Sequence, residues 1–183
     1  MSTGQKVFVF GASGHAKVVL DILARTGAGI ALVLDDDPAR AGQAVLGHRV
    51  AGGREALLAR RAEAGRGMVA IGGNAPRLAV AQWLASQGFA FASAVHPAAV
   101  IGAEVRLGEG SVVMAGAVVN PDTAIGRHCI VNTGASIDHD CAVADGVHVA
   151  PGARLCGGVA VGEGAFVGRG QFGVGGGQGS RCL

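Results

Sequence analysis

From Val95 onward, every sixth residue is a branched aliphatic: Val95, Ile101, Leu107, Val113 and so on to Val167, thirteen positions without a slip. Four residues after each of the first twelve stands a small or β-branched residue, from Ala99 and Val105 through Cys129 and Ala135 to Ala165. Glycine follows the aliphatic at Gly102, Gly108, Gly126, Gly162 and Gly168. A period of six fits neither the 3.6-residue repeat of an amphipathic helix nor the alternation of a two-faced strand. It predicts short flat strands joined by regular corners, with one aliphatic per side pointing inward. Stacked coils of this kind pair each backbone N–H and C=O with the coil above or below, and their inward columns merge into one core.

Residues 1–94 carry a different pattern. Lys6–Phe10 is an apolar run, followed by Gly11-Ala-Ser-Gly14-His15 and then Val18, Val19, Ile22 and Leu23 at helical spacing. This predicts strand, glycine turn, helix. A second strand is expected over Ile30–Leu34, ending in Asp35-Asp36-Asp37-Pro38. A third, Met68–Ile71, ends in Gly72-Gly73-Asn74, and a helix is expected over Ala75–Gln87 with Leu78, Trp83 and Leu84 inward. Strands alternating with helices imply a small Rossmann-like parallel sheet whose ligands sit at the strand C-terminal ends. The expected organisation is an α/β domain over 1–94, a parallel β-helix over 95–168 and a Gly-rich irregular tail over 169–183.

Composition sharpens this picture. Half of the 183 residues are hydrophobic but only 4% are aromatic, and there is no Tyr, so the cores must be mainly aliphatic. The 33 glycines follow no collagen period and imply many tight turns. Net charge is +2, without a basic stripe for a phosphate backbone, so nucleic acid is not an expected partner. No run of about 18 uncharged apolar residues occurs, and no secretory signal is read at the N-terminus, so a cytoplasmic chain without membrane insertion is expected. Cys129, Cys141, Cys156 and Cys182 form no CxxC pair, which argues against a zinc knuckle or redox dithiol.

Gly11 and Gly14 lack the third glycine of a dinucleotide fingerprint, and the same turn could bind nothing. Placed at a helix N-terminus they also suit a phosphate, and the short domain suits a mononucleotide or nucleotide sugar better than a dinucleotide. In the repeats, Asn132-Thr-Gly-Ala-Ser-Ile-Asp138-His139-Asp140 sets an imidazole between two carboxylates. An adjacent carboxylate can hold an imidazole's tautomer and stabilise its protonated form, as a general base requires. A solvent-exposed histidine on a coil edge is the bland alternative. His48 and His128 are expected at the surface.

The hexapeptide pattern resembles the hexapeptide-repeat acyltransferases. GASGHAKVV, DDDP, AIGGN-x-x-R and the His96-Pro97 that opens the repeats narrow this to the bacterial nucleotide-amino-sugar N-acetyltransferase and sialic acid O-acetyltransferase family. The resemblance implies a left-handed helix of three hexapeptides per coil (95–112, 113–130, 131–148, 149–166, with a fifth begun at Val167) and a homotrimer with sites between subunits. It implies acetyl-CoA as co-substrate, no metal, and a nucleotide-sugar substrate of the UDP-4-amino-sugar type. The nucleotide would be held by Gly11, Ser13, Gly14, Asp35, Asp36, Gly72 and Asn74, with His15 and Lys17 near the diphosphate or sugar. His139 would be the general base with Asp140 and Asn132, while His148 and Gly157 would contact acetyl-CoA. Sugar O-acetylation is the close alternative. Zinc chemistry, which some trimeric β-helices carry out with three histidines across a subunit boundary, is disfavoured by the nine-residue separation of His139 and His148. After Val167 the next six-residue step lands on Gly173, in a stretch with seven glycines among its sixteen residues. Relatives normally add about two coils there, so a frayed tail, weakened acetyl-CoA affinity and even a catalytically impaired nucleotide-sugar-binding trimer are expectations to set against the enzyme.

Overall fold

The structure, a computed structural model, describes residues 6–168 and the backbone of Phe172–Gly173. It divides into two compact units that part between Ala94 and Val95.

The first unit is a three-stranded parallel sheet built from β1 (Lys6–Phe10), β2 (Gly29–Leu34) and, after a short hairpin of β3 (Ala44–Val45) and β4 (His48–Arg49), β5 (Arg66–Val69). The strand order is β2-β1-β5, so the apolar run of β1 lies in the centre, and Val7 to Phe10 are buried on both faces. A central parallel strand is covered on both sides and reads as a continuous hydrophobic run. The helices are α1 (Gly14–Arg25), α2 (Arg54–Ala59) and α3 (Asn74–Ser86). The core on one face joins Phe8, Phe10, Phe89 and Phe91 to Leu34, Leu57 and Leu84. The inward face of α3 differs in detail from expectation. Arg77, Val80, Ala81 and Leu84 are buried, while Leu78 and Trp83 are only half-buried. Arg77 takes the inward position because its guanidinium reaches the carbonyls of Ile71 and Gly72.

The second unit is a left-handed parallel β-helix of two-residue strands. Each strand pairs in parallel with the one 18 residues on, as in Val118↔Ser136 and Ile130↔His148, which gives three strands per coil and three stacked sheets. The inward aliphatics from Val113 to Val167 are at most 5% exposed. In the first coil Val95 and Leu107 are half-buried and Ile101 is 40% exposed. Phe172 and Gly173 pair with Arg154 and Leu155, so strand pairing takes one step past Val167. The rest of the expected tail, 169–171 and 174–183, lies outside the described residues.

Two glycine columns have separate causes. A β-carbon at Gly108 would sit 2.4 Å from the Gly126 carbonyl carbon, and one at Gly126 would sit 2.7 Å from the Asp145 nitrogen, so these positions let adjacent coils close up. The corners supply the second column: left-handed φ recurs every six residues from Glu104 and Gly110 to Gly158 and Gly164. Glycine fills seven of these eleven corners, and Glu104, Asp122, His128 and Asp140 hold the others. His128 corrects the surface expectation. It is 9% exposed, because its corner conformation lays the ring against Gly110 on the preceding coil.

Candidate functional site

One group of expected residues assembles on a single corner of the β-helix. Ile137 is buried, and the chain then turns through Asp138 and His139 into Asp140, which adopts left-handed φ. The His139 Nδ1 lies 2.7 Å from an Asp140 carboxylate oxygen, and the His139 side chain is 62% exposed. With Nδ1–H donating to Asp140, Nε2 keeps its lone pair. The hydrogen bond to Asp140, followed by the charge of Asp138, holds the imidazole pKa above the ordinary 6.5.

Gly157 lies one coil further on. A β-carbon there would come within 2.7 Å of both Cε1 and Nε2 of His139, so the imidazole packs against this glycine and no other residue fits without moving it. The Gly157 N–H makes no hydrogen bond among the described residues. The corner therefore holds a lone-pair nitrogen beside an uncommitted backbone donor.

Two residues of this corner follow from stacking and not from local sequence. Asn120, one coil before Asp138, donates from Nδ2 to Asp138 Oδ1 at 2.7 Å, and the same oxygen accepts the His139 N–H at 2.9 Å. These bonds, the Asn120 amide first, hold the Asp138 carboxyl below its ordinary pKa. Asn120 was not among the expected site residues. The signal that could have found it is the 18-residue offset.

Asn132 is expected alongside His139, yet its hydrogen bonds lie elsewhere. Its Oδ1 accepts the Thr133 N–H, and Nδ2 lies 3.0 Å from His148 Nε2. With the amide so oriented, His148 Nε2 accepts and its proton sits on Nδ1. The His148 ring meets Phe166 edge to face with centroids 5.0 Å apart. Asn132 and His148 are thus one group, and His139 and Gly157 another.

In the first unit the glycine turn and the acidic pair are tied together. Gly11 has φ of 111°, and a β-carbon would lie 2.6 Å from the Ala70 carbonyl oxygen, so β1 and the segment after β5 approach as closely as glycine allows. Asp35 accepts the Ala12 N–H at 2.7 Å and the Asp37 N–H at 3.0 Å, while Arg40 donates to the Ala12 carbonyl. Asp36 accepts both the backbone N–H and the guanidinium of Arg54, and Arg54 stacks over Trp83. A cavity of about 540 Å³ opens beside this pair and is lined also by Pro38, Gly53 and Arg54. Ser13 makes no capping bond, and Ser13, Gly14 and Lys17 are exposed at the first turn of α1. Gly72 adjoins His15, and Asn74 accepts from Arg77, so the loops after β1 and β5 meet. Among the described residues no group of three His, Cys, Asp or Glu is placed to hold a metal, and no helix is long and apolar enough to cross a membrane.

Residues 6–84 match the PglD N-terminal domain. A His-to-Asn variant of perosamine N-acetyltransferase from Caulobacter crescentus, solved with CoA and GDP-perosamine, is 42% identical over 90% of this chain and 77% of that one, with TM-score 0.82. The acetyltransferase domain of PglB from Neisseria gonorrhoeae, solved with acetyl coenzyme A, is 33% identical over 92% of this chain and 87% of that one, with TM-score 0.76. WeeI from Acinetobacter baumannii, 24% identical and covering 90% of each chain at TM-score 0.77, shares the fold. No curated protein matches the chain.

Proposed function

The chain belongs to the hexapeptide-repeat nucleotide-sugar acetyltransferases, and from that premise we propose that it moves the acetyl group of acetyl-CoA onto the amine of a nucleotide-linked 4-amino sugar, with His139 as general base. The observation that carries this reading is the corner where the Nε2 edge of an Asp140-oriented imidazole lies over Gly157.

The amine nitrogen attacks the thioester carbonyl carbon, and its proton passes to His139 Nε2. Asp140 keeps the other ring nitrogen protonated and stabilises the imidazolium. The Gly157 N–H is the oxyanion donor that stabilises the tetrahedral intermediate. The carbon–sulfur bond then breaks, and the CoA thiolate takes up a proton to leave as the free thiol. His148, fixed by Asn132 and Phe166, contacts acetyl-CoA.

In the first unit, the turn from Gly11 to Gly14 with Gly72 and Asn74 receives the diphosphate, with His15 and Lys17 at its edge, and the cavity beside Asp35 and Asp36 receives the nucleoside. Perosamine N-acetyltransferase with bound GDP-perosamine, at 42% identity, sets a GDP-linked amino sugar beside the UDP-linked one that the motifs imply. The active unit is a homotrimer. That His139 and His148 stand on different sides of the three-sided helix supports a second subunit bringing a His148 face to a His139 corner.

Thiol release from acetyl-CoA, measured with UDP- and GDP-linked 4-amino sugars, tests this directly. We expect release with one of them and a loss of roughly 10²- to 10⁴-fold in His139→Ala. Hydroxylamine distinguishes the products, because it cleaves an O-acetyl ester and spares an N-acetyl amide. Nucleotide binding without thiol release from any acceptor would leave a sugar-binding protein instead of an enzyme. A monomer by light scattering would overturn the intersubunit site.

A further inference from the structure

We propose that Asn120 and Asp138 are positioning residues for His139, an amide–carboxylate strut between adjacent coils that fixes both where the imidazole stands and at what pH it becomes a base. The inference rests on His139 being the base.

The geometry has three parts. Asp138 Oδ1 accepts two hydrogen bonds, from Asn120 Nδ2 on the preceding coil at 2.7 Å and from the backbone N–H of His139 at 2.9 Å. The corner is secured on both sides, since Asp140 N–H donates to the Pro121 carbonyl on that same preceding coil and Gly158 N–H donates to the His139 carbonyl from the following one. The imidazole is then clamped by Asp140 at Nδ1 and by the surface of Gly157. Among the described residues, Asp138 is thus the only side chain that both holds the His139 backbone and carries charge beside its ring. Asn120 in turn decides where that charge sits.

A carboxylate bound by an amide and a backbone N–H stays ionised well below neutral pH, and its charge favours the imidazolium. This matches the lowered Asp138 and raised His139 pKa directions. The other titratable groups of the corner among the described residues are Asp140 itself, Cys141 beside it, whose thiol burial pushes up, Asp122 one coil before Asp140, and Cys156 one coil after Asp138. Neither variant below alters them.

Two near-isosteric substitutions separate charge from shape. Asp138→Asn keeps an oxygen for the His139 N–H and removes the charge. The acid limb of the kcat/KM profile should move down by roughly half a unit, because the base loses its neighbouring anion. Asn120→Asp sets a second carboxylate against the first, and such a pair shares one proton. Loss of that proton drives the two apart, so a new alkaline limb should appear, with a fall of roughly tenfold or more above it. His139→Ala is measured in parallel. If that variant keeps its activity, the reading of His139 as base is wrong. If it is inactive while the profiles of both isosteric variants coincide with that of the unaltered protein, the strut alone is refuted. Collapse of the thermal midpoint in both variants, by roughly 10 °C or more, would also refute it, because the pair would then be a fastener of the coil stack.

Discussion

The two units build cores from different materials and consequently present their functional residues in different ways. The sheet unit packs Phe8, Phe10, Phe89 and Phe91 among leucines, with α1 and α3 carrying loops at the ends of β1 and β5. The β-helix core contains no aromatic among its described members. It is columns of Val, Ile, Leu, Ala and Cys, repeated every coil. Interchangeable loops at strand ends suit recognition of a large and varied ligand, since loops can change without disturbing the sheet. A repeated coil fixes each corner by hydrogen bonds from the coils on either side, and that suits one imidazole that must be held in one place.

The largest effect expected from this contrast is a break in the stack. Gly108→Val would drive a side chain into the backbone of the next coil, which lies 2.4 Å from the position of its β-carbon. The coils cannot separate there without losing their ladder, so we expect a loss of about 3 kcal/mol or more in chemical denaturation. Gly162 holds the same repeat position with nothing among the described residues within 4 Å of such a β-carbon. Gly162→Ala should change stability by no more than about 0.5 kcal/mol. Equal losses at both would show that the repeat position, and not the approach of coils, sets the cost.

Gly11→Ala makes the corresponding test in the sheet unit. Its φ of 111° and the 2.6 Å approach to the Ala70 carbonyl oxygen make alanine strained twice over. A cost of about 2–3 kcal/mol is expected, with weakened nucleotide binding by calorimetry. The loss should be confined to one unfolding transition if the two units melt separately, and spread across a single transition if they do not.

Arg77→Met is smaller and local. It removes the guanidinium that donates to the Ile71 and Gly72 carbonyls and to Asn74, leaving half-buried acceptors without it. We expect about 2 kcal/mol of stability lost and a raised KM for the nucleotide sugar, with KM for acetyl-CoA unchanged. A raised KM for acetyl-CoA would show that the two sites are not independent.

These residues also mark what could be read before the structure. Thirteen aliphatics at six-residue intervals announce the β-helix, because a period constrains every coil at once. His139 and Asp140 stand out in the sequence as an imidazole among carboxylates within the repeat, while Gly157 comes from the family resemblance alone. Asn120 follows with the repeat as a ruler but needs an offset of 18, three hexapeptides, to be seen beside Asp138. His128 was misplaced at the surface because a left-handed corner and a glycine one coil back bury it, and neither is visible in its neighbours. The sheet unit offers no such ruler. The bonds from Asp35 to Ala12 and from Asp36 to Arg54 join loops 23 and 18 residues apart through the tertiary fold alone. The acidic pair could be read as acidic, but not as braced by the turn and by α2.

The smallest effect concerns the ion pair that spans two coils on the β-helix surface. Arg127 donates from its backbone and from Nε to the two oxygens of Asp145, one coil away, at 2.7 and 2.9 Å. Burial alone would raise the Asp145 pKa, but the Arg127 backbone N–H and guanidinium outweigh it, and the carboxyl falls below its ordinary 3.8. A depressed carboxyl contributes stability above its unfolded pKa and loses that contribution as pH falls through the folded value. The Arg127 side chain is 62% exposed, so solvent screening leaves little of the pair's Coulomb energy. Arg127→Ala should therefore lower the thermal midpoint by no more than about 2 °C at neutral pH. The difference should shrink in high salt, decline as the pH falls below 3.8, and vanish once the pH has passed the lowered folded value, where both proteins have lost the carboxylate. Because the backbone N–H of residue 127 still reaches Asp145 in the variant, a much larger drop would mean that the corner depends on the side chain. The rule that the backbone ladder carries the β-helix, with side chains added at the margin, would then fail at this corner.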